Sequence, residues 1–552
     1  MDTRVHRRPT GRGPSARLAR VLALVAAAGP PLACQRAPAP RSTVSPAALG
    51  RSGRPPLLVV GIDGADWGVV RRLWAQGRLP NLKRLADGGT SGVLKTAFGL
   101  SPVIWTTIAT GRTPDVHGIT DFVVNTEHGA VPVSSAVRRV PALWNMTSRA
   151  GRRTAVLGWW ASWPAEQIDG LVITDRAHLT RDRAVHPAEQ LAELERARKE
   201  ARDEYPGFGG RLADRDPWMD DGAVRDRIMA HEARRVAGTG FDLVMVYFRT
   251  VDIASHRYWK FFEPFRYPGT LRRVSDRWSH VIPTVYDATD QALGDILAAC
   301  PEGTNLLLVS DHGFVAGPEV PFVYINTERL LERLGFLVRT GEAVDFARTV
   351  AYPVDSPGHS RVKLLRLSRR GREAHGRVTP AQAPRELDRL QRALEGVTYE
   401  NGRPVFTVTR KDLPAQADLS AEVSLRNPSL RVRVGATTYD DVVRYINSIT
   451  GTHNDTTDGM FVAWGPDVEP GAKAEGISVL DVAPTILYAL GLPVAEDFAG
   501  RARSELFTRA FRARHPLRKV PSWGTMAGWR VESSAVDAKL VEELRALGYI
   551  SP

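Results

Sequence analysis

Three aspartates close apolar runs in this chain: Asp63 in LLVVGIDGAD, Asp252 in FDLVMVYFRTVD and Asp311 in NLLLVSDHG. Histidines accompany them. His312 follows Asp311, His256 lies four residues beyond Asp252 in TVDIASHRYW, and His453 stands in GTHNDTTDG before a further apolar run. Runs of this kind predict buried strands of a parallel sheet, and ligands of open α/β sheets bind beyond the carboxyl ends of the strands. Taken singly, each residue has an ordinary explanation, since Asp-Gly after a strand is a turn signal and a lone His is commonly a satisfied core or surface residue. Taken together, three Asp and three His supply the oxygen and imidazole ligands that two zinc-like ions require. Two such ions about 4 Å apart would clamp both sides of a phosphoryl centre.

A nucleophile for that chemistry is offered by GLSPVIWTTIATGRTPDVHGI, residues 99–119. Ser101 precedes Pro102 and is expected to open the helix that Trp105, Ile108 and Ala109 continue. There its hydroxyl meets the positive end of the helix, which favours an alkoxide and a bound anion. Thr106 and Thr107 are rivals, but they lie a full turn inside the helix and are expected to pack or to bond the backbone.

Apolar runs at 55–66, 154–164, 241–252, 305–313 and 459–468 predict the strands that position these groups, with helical segments between them. One helix opens at Pro80 and stops at Gly88-Gly89. Such alternation implies a mainly parallel sheet covered on both faces. Residues 178–238 turn polar and rich in Ala, Glu and Arg, predicting exposed inserted helices, a candidate lid. Residues 340–445 are the least legible part. Their basic run RLSRRGREAHGR reads as solvated surface, because no recognition motif for nucleic acid accompanies it. The final pattern, VDAKLVEELRALGYI, places Leu540, Val541, Leu544 and Leu547 on one helix face suited to docking on the core.

The 552 residues are 43% hydrophobic and 24% charged, ordinary globular composition that excludes a mostly disordered or collagen-like chain. Of the formal charge of +13, the first twenty residues carry +5, and the rest is scattered. Those arginines lead into VLALVAAA and then GPPLAC, the order of a bacterial export signal. That apolar run is too short to span a bilayer. Cys34, after Leu32 and Ala33, resembles a lipoprotein processing site, so the mature protein is expected to be exported and membrane-anchored through a lipid on Cys34. The domain reading is an export signal at 1–33, a Pro/Ser/Ala/Arg-rich tether at 34–55 and a catalytic domain at 56–552. Cys300 is the only other cysteine, and no disulfide is expected.

In this order, GIDGAD, SPVIWTTIATGRTPDVHGI, VDIASHRYW, VSDHGF and GTHNDTTDG resemble the type I phosphodiesterase/nucleotide pyrophosphatase branch of the alkaline phosphatase superfamily. LPNLKRLADGG, YINTERLLERLGFL, LDVAPTILYALGLPVAEDFAGR and LRALGYI are similar to bacterial members. The resemblance implies a three-layer α/β/α sandwich around a mainly parallel mixed sheet, a helical insertion and two zinc ions. By motif, Asp63, Ser101, Asp311 and His312 would surround the ion that activates the nucleophile. Asp252, His256 and His453 would hold the other ion. His117 in DVHGI belongs to the pattern as a structural residue. The implied activity is hydrolysis of phosphodiester or pyrophosphate bonds in a small phosphorylated substrate through a phosphoserine. A phosphomonoesterase, an envelope phospho-group transferase and a non-catalytic binding protein of the same fold are the alternatives. Two departures bear on specificity: Val103 and Ile104 occupy the place of an Asn that binds phosphate in the eukaryotic enzymes, and Ser replaces the commoner Thr. The sulfatase pattern is absent, with Pro102 directly after Ser101 and Trp105 where its Arg would be.

Overall fold

The structure is a computed structural model of the chain. It describes residues 56–126, 129–205, 216–266, 278–317, 322–341, 343–354, 362–411, 413, 417–424, 431–446, 450–453, 457–471, 473–547 and 549–550. The expected export signal, Cys34 and the expected tether lie outside the described residues. Among the described residues no helix is long and apolar enough to cross a membrane.

Nine strands form the central sheet: β1 (Leu57–Ile62), β2 (Thr90–Lys95), β3 (Thr154–Leu157), β4 (Gly170–Ile173), β5 (Val185–His186), β6 (Leu243–Phe248), β7 (Asn305–Val309), β8 (Gly459–Trp464) and β9 (Lys473–Ser478). Their order across the sheet is β9-β2-β8-β7-β1-β6-β3-β4-β5. Parallel pairing runs from β7 through β1, β6 and β3 to β4, and joins β2 to β9. β8 is antiparallel to both β7 and β2, and β5 is antiparallel to β4. The alternation within β1 divides the core: Leu58, Val60 and Ile62 enter one apolar cluster, Leu57 and Val59 the other. This is the expected three-layer α/β/α sandwich on a mixed, mainly parallel sheet.

On the first face lie helices α1 (Trp67–Trp74), α2 (Pro80–Gly88), α5 (Pro217–Val236), α6 (Thr250–Phe262), α7 (Val281–Ala299) and α9 (Asp537–Ala546). The second face carries α3 (Ser101–Thr110) and α8 (Val479–Ala489). α4 (Leu191–Asp203) packs on α5 and buries Leu194, Ala197 and Ala201.

The expected exposed lid at 178–238 is therefore corrected. α5 buries Met219, Ile228, Met229, Ala233 and Val236 in the same cluster as β1 and β6, because a narrow apolar stripe suffices to seat a helix whose average composition is polar. The terminal helix docks as its pattern predicts, with Val541, Leu544 and Leu547 buried.

The segment between β7 and β8 holds a compact insert with its own core, running from Ile325 to Val443. It contains an antiparallel sheet in the order Ala351–Val354, Val362–Leu367, Leu419–Val423, Phe406–Thr409, with helix Ala383–Glu395 against it. In its basic run, Arg372 pairs with Glu373 at 2.7 Å and Arg369 with Asp418 at 2.6 Å. Two antiparallel ribbons close the base of the insert: Phe322–Ile325 on Val443–Ile446, and Val315–Ala316 on Gly451–Thr452.

Gly61 in β1 fixes how the helix carrying Ser101 sits on the sheet. A Cβ there would lie 2.7 Å from Trp105 Cζ3 and 3.3 Å from Tyr247 Cδ2, so only glycine lets the Trp105 indole rest on the strand. Gly61→Ala is expected to cost roughly 1–3 kcal/mol through overpacking, read as a lower denaturant midpoint. An unchanged midpoint would show that the indole yields freely.

Candidate active site

Asp63 directly follows β1 and Asp311 stands two residues beyond β7. Because β1 and β7 are parallel neighbours with Gly61 opposite Val309, both carboxylates emerge at the same end of the sheet, beyond the carboxyl ends of these strands. The Asp311 carboxylate accepts the Gly64 amide at 3.1 Å, and Ser310 Oγ accepts the Ala65 amide at 2.8 Å. Asp252 differs from the sequence expectation. It lies in the first turn of α6, beyond the end of β6, and so shares one helix face with His256. The turn before α6 is held by Asp226, whose carboxylate accepts the backbone amides of Arg249 and Thr250 and the Thr250 hydroxyl.

α3 is buried on every side, as a helix in a protein core must be. Ser101 occupies its first turn, where amides lack intrahelical partners. The Ser101 hydroxyl donates to Asp63 Oδ1 at 3.3 Å and lies 3.4 Å from His312 Nε2. Thr106 and Thr107 bond back to the carbonyls of Pro102 and Val103 at 2.7 and 2.9 Å, leaving Ser101 as the hydroxyl that faces the carboxylates.

All seven residues singled out in the sequence come together. Asp63, Asp311 and His312 form one group of potential ligand atoms within 4.8 Å of each other, and Asp252, His256 and His453 form a second. His312 lies between them. Its Nε2 is 3.4 Å from Asp63 Oδ1, 3.4 Å from Asp311 Oδ2 and 3.8 Å from Asp252 Oδ1, and its ring stacks on His453 with centroids 3.5 Å apart.

This donor set fits divalent metal ions. His312 Nδ1 faces the Gly313 carbonyl at 3.1 Å and His256 Nδ1 the Gly451 carbonyl at 3.1 Å. Such bonds fix the tautomer and leave each Nε2 lone pair for a metal. Asp252 Oδ1, His256 Nε2 and Asp311 Oδ2 are buried and accept or donate no hydrogen bond. Buried polar atoms without such partners are uncommon and call for another one. Electrostatics agree. Burial and the Asp63 and Asp252 charges raise Asp311 well above the usual carboxylate range. His312 is pushed up to about 10, because Asp311 and Asp63 outweigh the burial that opposes its charge. Asp63 is lowered although burial works against it, through His312 and the Tyr247 phenol. A divalent cation would compete with protons for this cluster.

Aromatic donors complete the site, and the sequence reading passed over their role. Tyr247 donates its phenol to Asp63 Oδ2, and the Trp160 indole donates to the same oxygen at 3.3 Å. Tyr549 donates to Asp252 Oδ2. Trp159 and Trp163 are fully buried core residues. A signal for Tyr247 existed in the sequence: a phenol in a buried strand must find a partner. A cavity of about 480 Å³ opens between α5 and α7, but none of the seven residues lines it.

The model of the type I phosphodiesterase / nucleotide pyrophosphatase family matches residues 57–439. The chain belongs to that family. Membership supports hydrolysis of phosphodiester or pyrophosphate bonds. The family typically depends on divalent metals. Among solved structures, human and murine ectonucleotide pyrophosphatase / phosphodiesterase 5 are similar at 13% identity, with TM-scores of 0.48 and 0.47, over 82% of this chain and 100% of theirs. An inactive variant of the murine protein in complex with AMP gives the same identity and coverage at a TM-score of 0.47. No curated protein matches the sequence.

His117 supports α3 from beneath. Its Nδ1 accepts the Ile119 amide at 3.2 Å, so the proton on Nε2 faces Thr107 Oγ1 at 3.1 Å. Burial, aided by Arg138, lowers its pKa to about 3. The unfolded chain then binds the extra proton between pH 6.5 and about 3, so stability falls as pH falls through that window, by at most about 1.4 kcal/mol per unit. Denaturant titrations across this range are expected to show a shallower loss in His117→Gln than in wild type. Equal slopes would remove His117 from the acid response.

Proposed function

We propose that the chain is an exported, zinc-dependent phosphodiester or pyrophosphate hydrolase acting through a phosphoserine on Ser101. The observation that carries this reading is the Ser101 hydroxyl at the start of a buried helix, within 3.4 Å of both Asp63 and His312. Two zinc ions, one held by Asp63, Ser101, Asp311 and His312 and the other by Asp252, His256 and His453, would supply Lewis acidity towards the serine hydroxyl and the phosphoryl oxygens.

The chain's own residues do the rest. Ser101 Oγ, aligned by α3, attacks phosphorus as its proton passes to water, forming the Oγ–P bond while the bond to the leaving oxygen breaks and that oxygen takes up a proton from water. The amides of the first turn of α3 favour the anion so formed. Water then cleaves the phosphoserine and restores the hydroxyl, dividing one difficult step into two. Tyr247 and Trp160 hold the second oxygen of Asp63, so that Oδ1 stays turned to Ser101. A diester is favoured over a monoester dianion because the basic residues in and beside the nucleophile segment in sequence are engaged: Arg112 pairs with Asp497 at 2.5 Å, and Lys95 with Asp458.

Turnover on a panel of aryl phosphate monoesters, diesters and an aryl sulfate, with added zinc and with chelator, tests the reading. Diester cleavage is expected to vanish on chelation and to fall by roughly three orders of magnitude or more in Ser101→Ala, while Ser101→Thr retains activity. Acid quench should trap phosphate on the peptide containing Ser101. Phosphate on Thr106 or Thr107, or an active Ser101→Ala enzyme, would overturn the assignment. Transfer to an added alcohol in preference to water would establish the transferase alternative, and zinc binding without turnover on any ester a binding protein.

Export and anchoring through Cys34 belong to the same proposal, supported by the order of arginines, apolar run and LAC. Expressed in a bacterium that processes lipoproteins, the wild type is expected in the membrane fraction and Cys34→Ala in the soluble exported fraction. An identical distribution would leave Cys34 without that role.

A further inference from the structure

The segment that follows the docked C-terminal helix reaches the candidate metal centre. Tyr549 is 6% exposed, and its phenol donates to Asp252 Oδ2. Its ring stacks on Phe122 with centroids 4.8 Å apart and planes 8° from parallel, and meets the His256 ring edge-on at 5.4 Å. The Tyr549 amide donates to the Leu544 carbonyl at 2.8 Å, folding the segment back on α9.

α9 is itself bound to the turn that carries Asp252. Glu543 Oε1 accepts from Arg249 Nη1 at 2.7 Å, both side chains being buried, and Arg249 lies three residues before Asp252. At the helix start, Asp537 pairs with the buried Arg176 at 2.7 Å. Glu543 and Tyr549 thus grip the Arg249–Asp252 turn at two points.

Two of the three carboxylates around His312 are treated alike. Asp63 gives Oδ2 to a phenol, that of Tyr247, and turns Oδ1 to the cluster; Asp252 gives Oδ2 to Tyr549 and leaves Oδ1 3.4 Å from His256 Nε2, without a hydrogen bond. We infer that Tyr549 is a positioning residue for the ion held by Asp252, His256 and His453, making the docked C-terminal segment part of the metal centre. This rests on the metal reading above. Its physical content is that a donor on one carboxylate oxygen fixes which oxygen, at which angle, faces the ion. Loss of such a partner commonly costs 10–100-fold in metal affinity or activity.

Tyr549→Phe keeps the stack on Phe122 and removes only the phenol oxygen. Calorimetric titration of the metal-free full chain with zinc, beside its metal-free melting temperature, separates the outcomes. Two ions in wild type, with one bound about 10-fold or more weakly in Tyr549→Phe at an unchanged melting temperature, is the expected result. A lowered kcat on an aryl diester at unchanged KM should accompany it. Two ions bound with wild-type affinities by the variant would overturn the inference and leave the metal site standing, as would a fall in melting temperature alone. A wild-type chain that takes up no second ion would overturn the metal reading itself.

Discussion

Three carboxylates meet in the interior of this protein, and much of the surrounding structure answers that electrostatic problem. Asp63, Asp252 and Asp311 are each at most 1% exposed. At an effective dielectric near 20, two charges 4 Å apart repel by about 4 kcal/mol, so the fold must bring positive charge or protons to the same place. His312 stands among all three. Arg249 lies behind Trp160, with its guanidinium carbon 5.0 Å from the ring, and Arg225 lies behind Tyr247 at 5.0 Å. The guanidinium groups thus sit behind aromatic side chains that themselves donate to Asp63. This keeps the inner face of the cluster free for imidazole and metal while the outer face is neutralised.

The insert between β7 and β8 follows from the same requirement. Asp311 and His312 leave the sheet on one strand and His453 returns just before another, with more than a hundred residues between them. A long excursion determines the return point only weakly unless its base is closed. The ribbons Phe322–Ile325 with Val443–Ile446 and Val315–Ala316 with Gly451–Thr452 provide that closure. Gly451 also accepts the Nδ1 proton of His256 through its carbonyl, so the ribbon at the base orients a second imidazole. The insert's separate core makes its internal packing independent of the site.

The gathering of these carboxylates and histidines was legible because strand-end carboxylates and nearby histidines are chemical types that rarely occur together without a reason. Ser101 was legible for the same reason, through Pro102 and the apolar pattern behind it. Asp252 was placed at a strand end because Val251, after Arg249 and Thr250, reads as a continuation of the apolar run. The turn at Arg249 is made by Asp226, distant in sequence and visible only once α5 is packed. α5 was misjudged because its apolar residues form one stripe in a polar segment. The interior of the insert stayed obscure since short antiparallel strands of mixed polarity give weak period-two signals, and their pairing is set by contacts across loops.

Tyr247 and Tyr549 escaped notice for a deeper reason. Neither belongs to the residue types that mark metal or acid–base chemistry, and each sits in a sequence that packing explains fully: a buried strand for one, a docked helical end for the other. Packing, however, accounts only for their rings. A phenol oxygen carried into the core needs an acceptor, and in each case the acceptor is a carboxylate of the cluster. The apolar body brings the residue to the site and the polar tip acts there. The same side chain thereby joins the stability of the sheet to the orientation of the clustered carboxylates, and a substitution that preserves the ring tests the second role without disturbing the first.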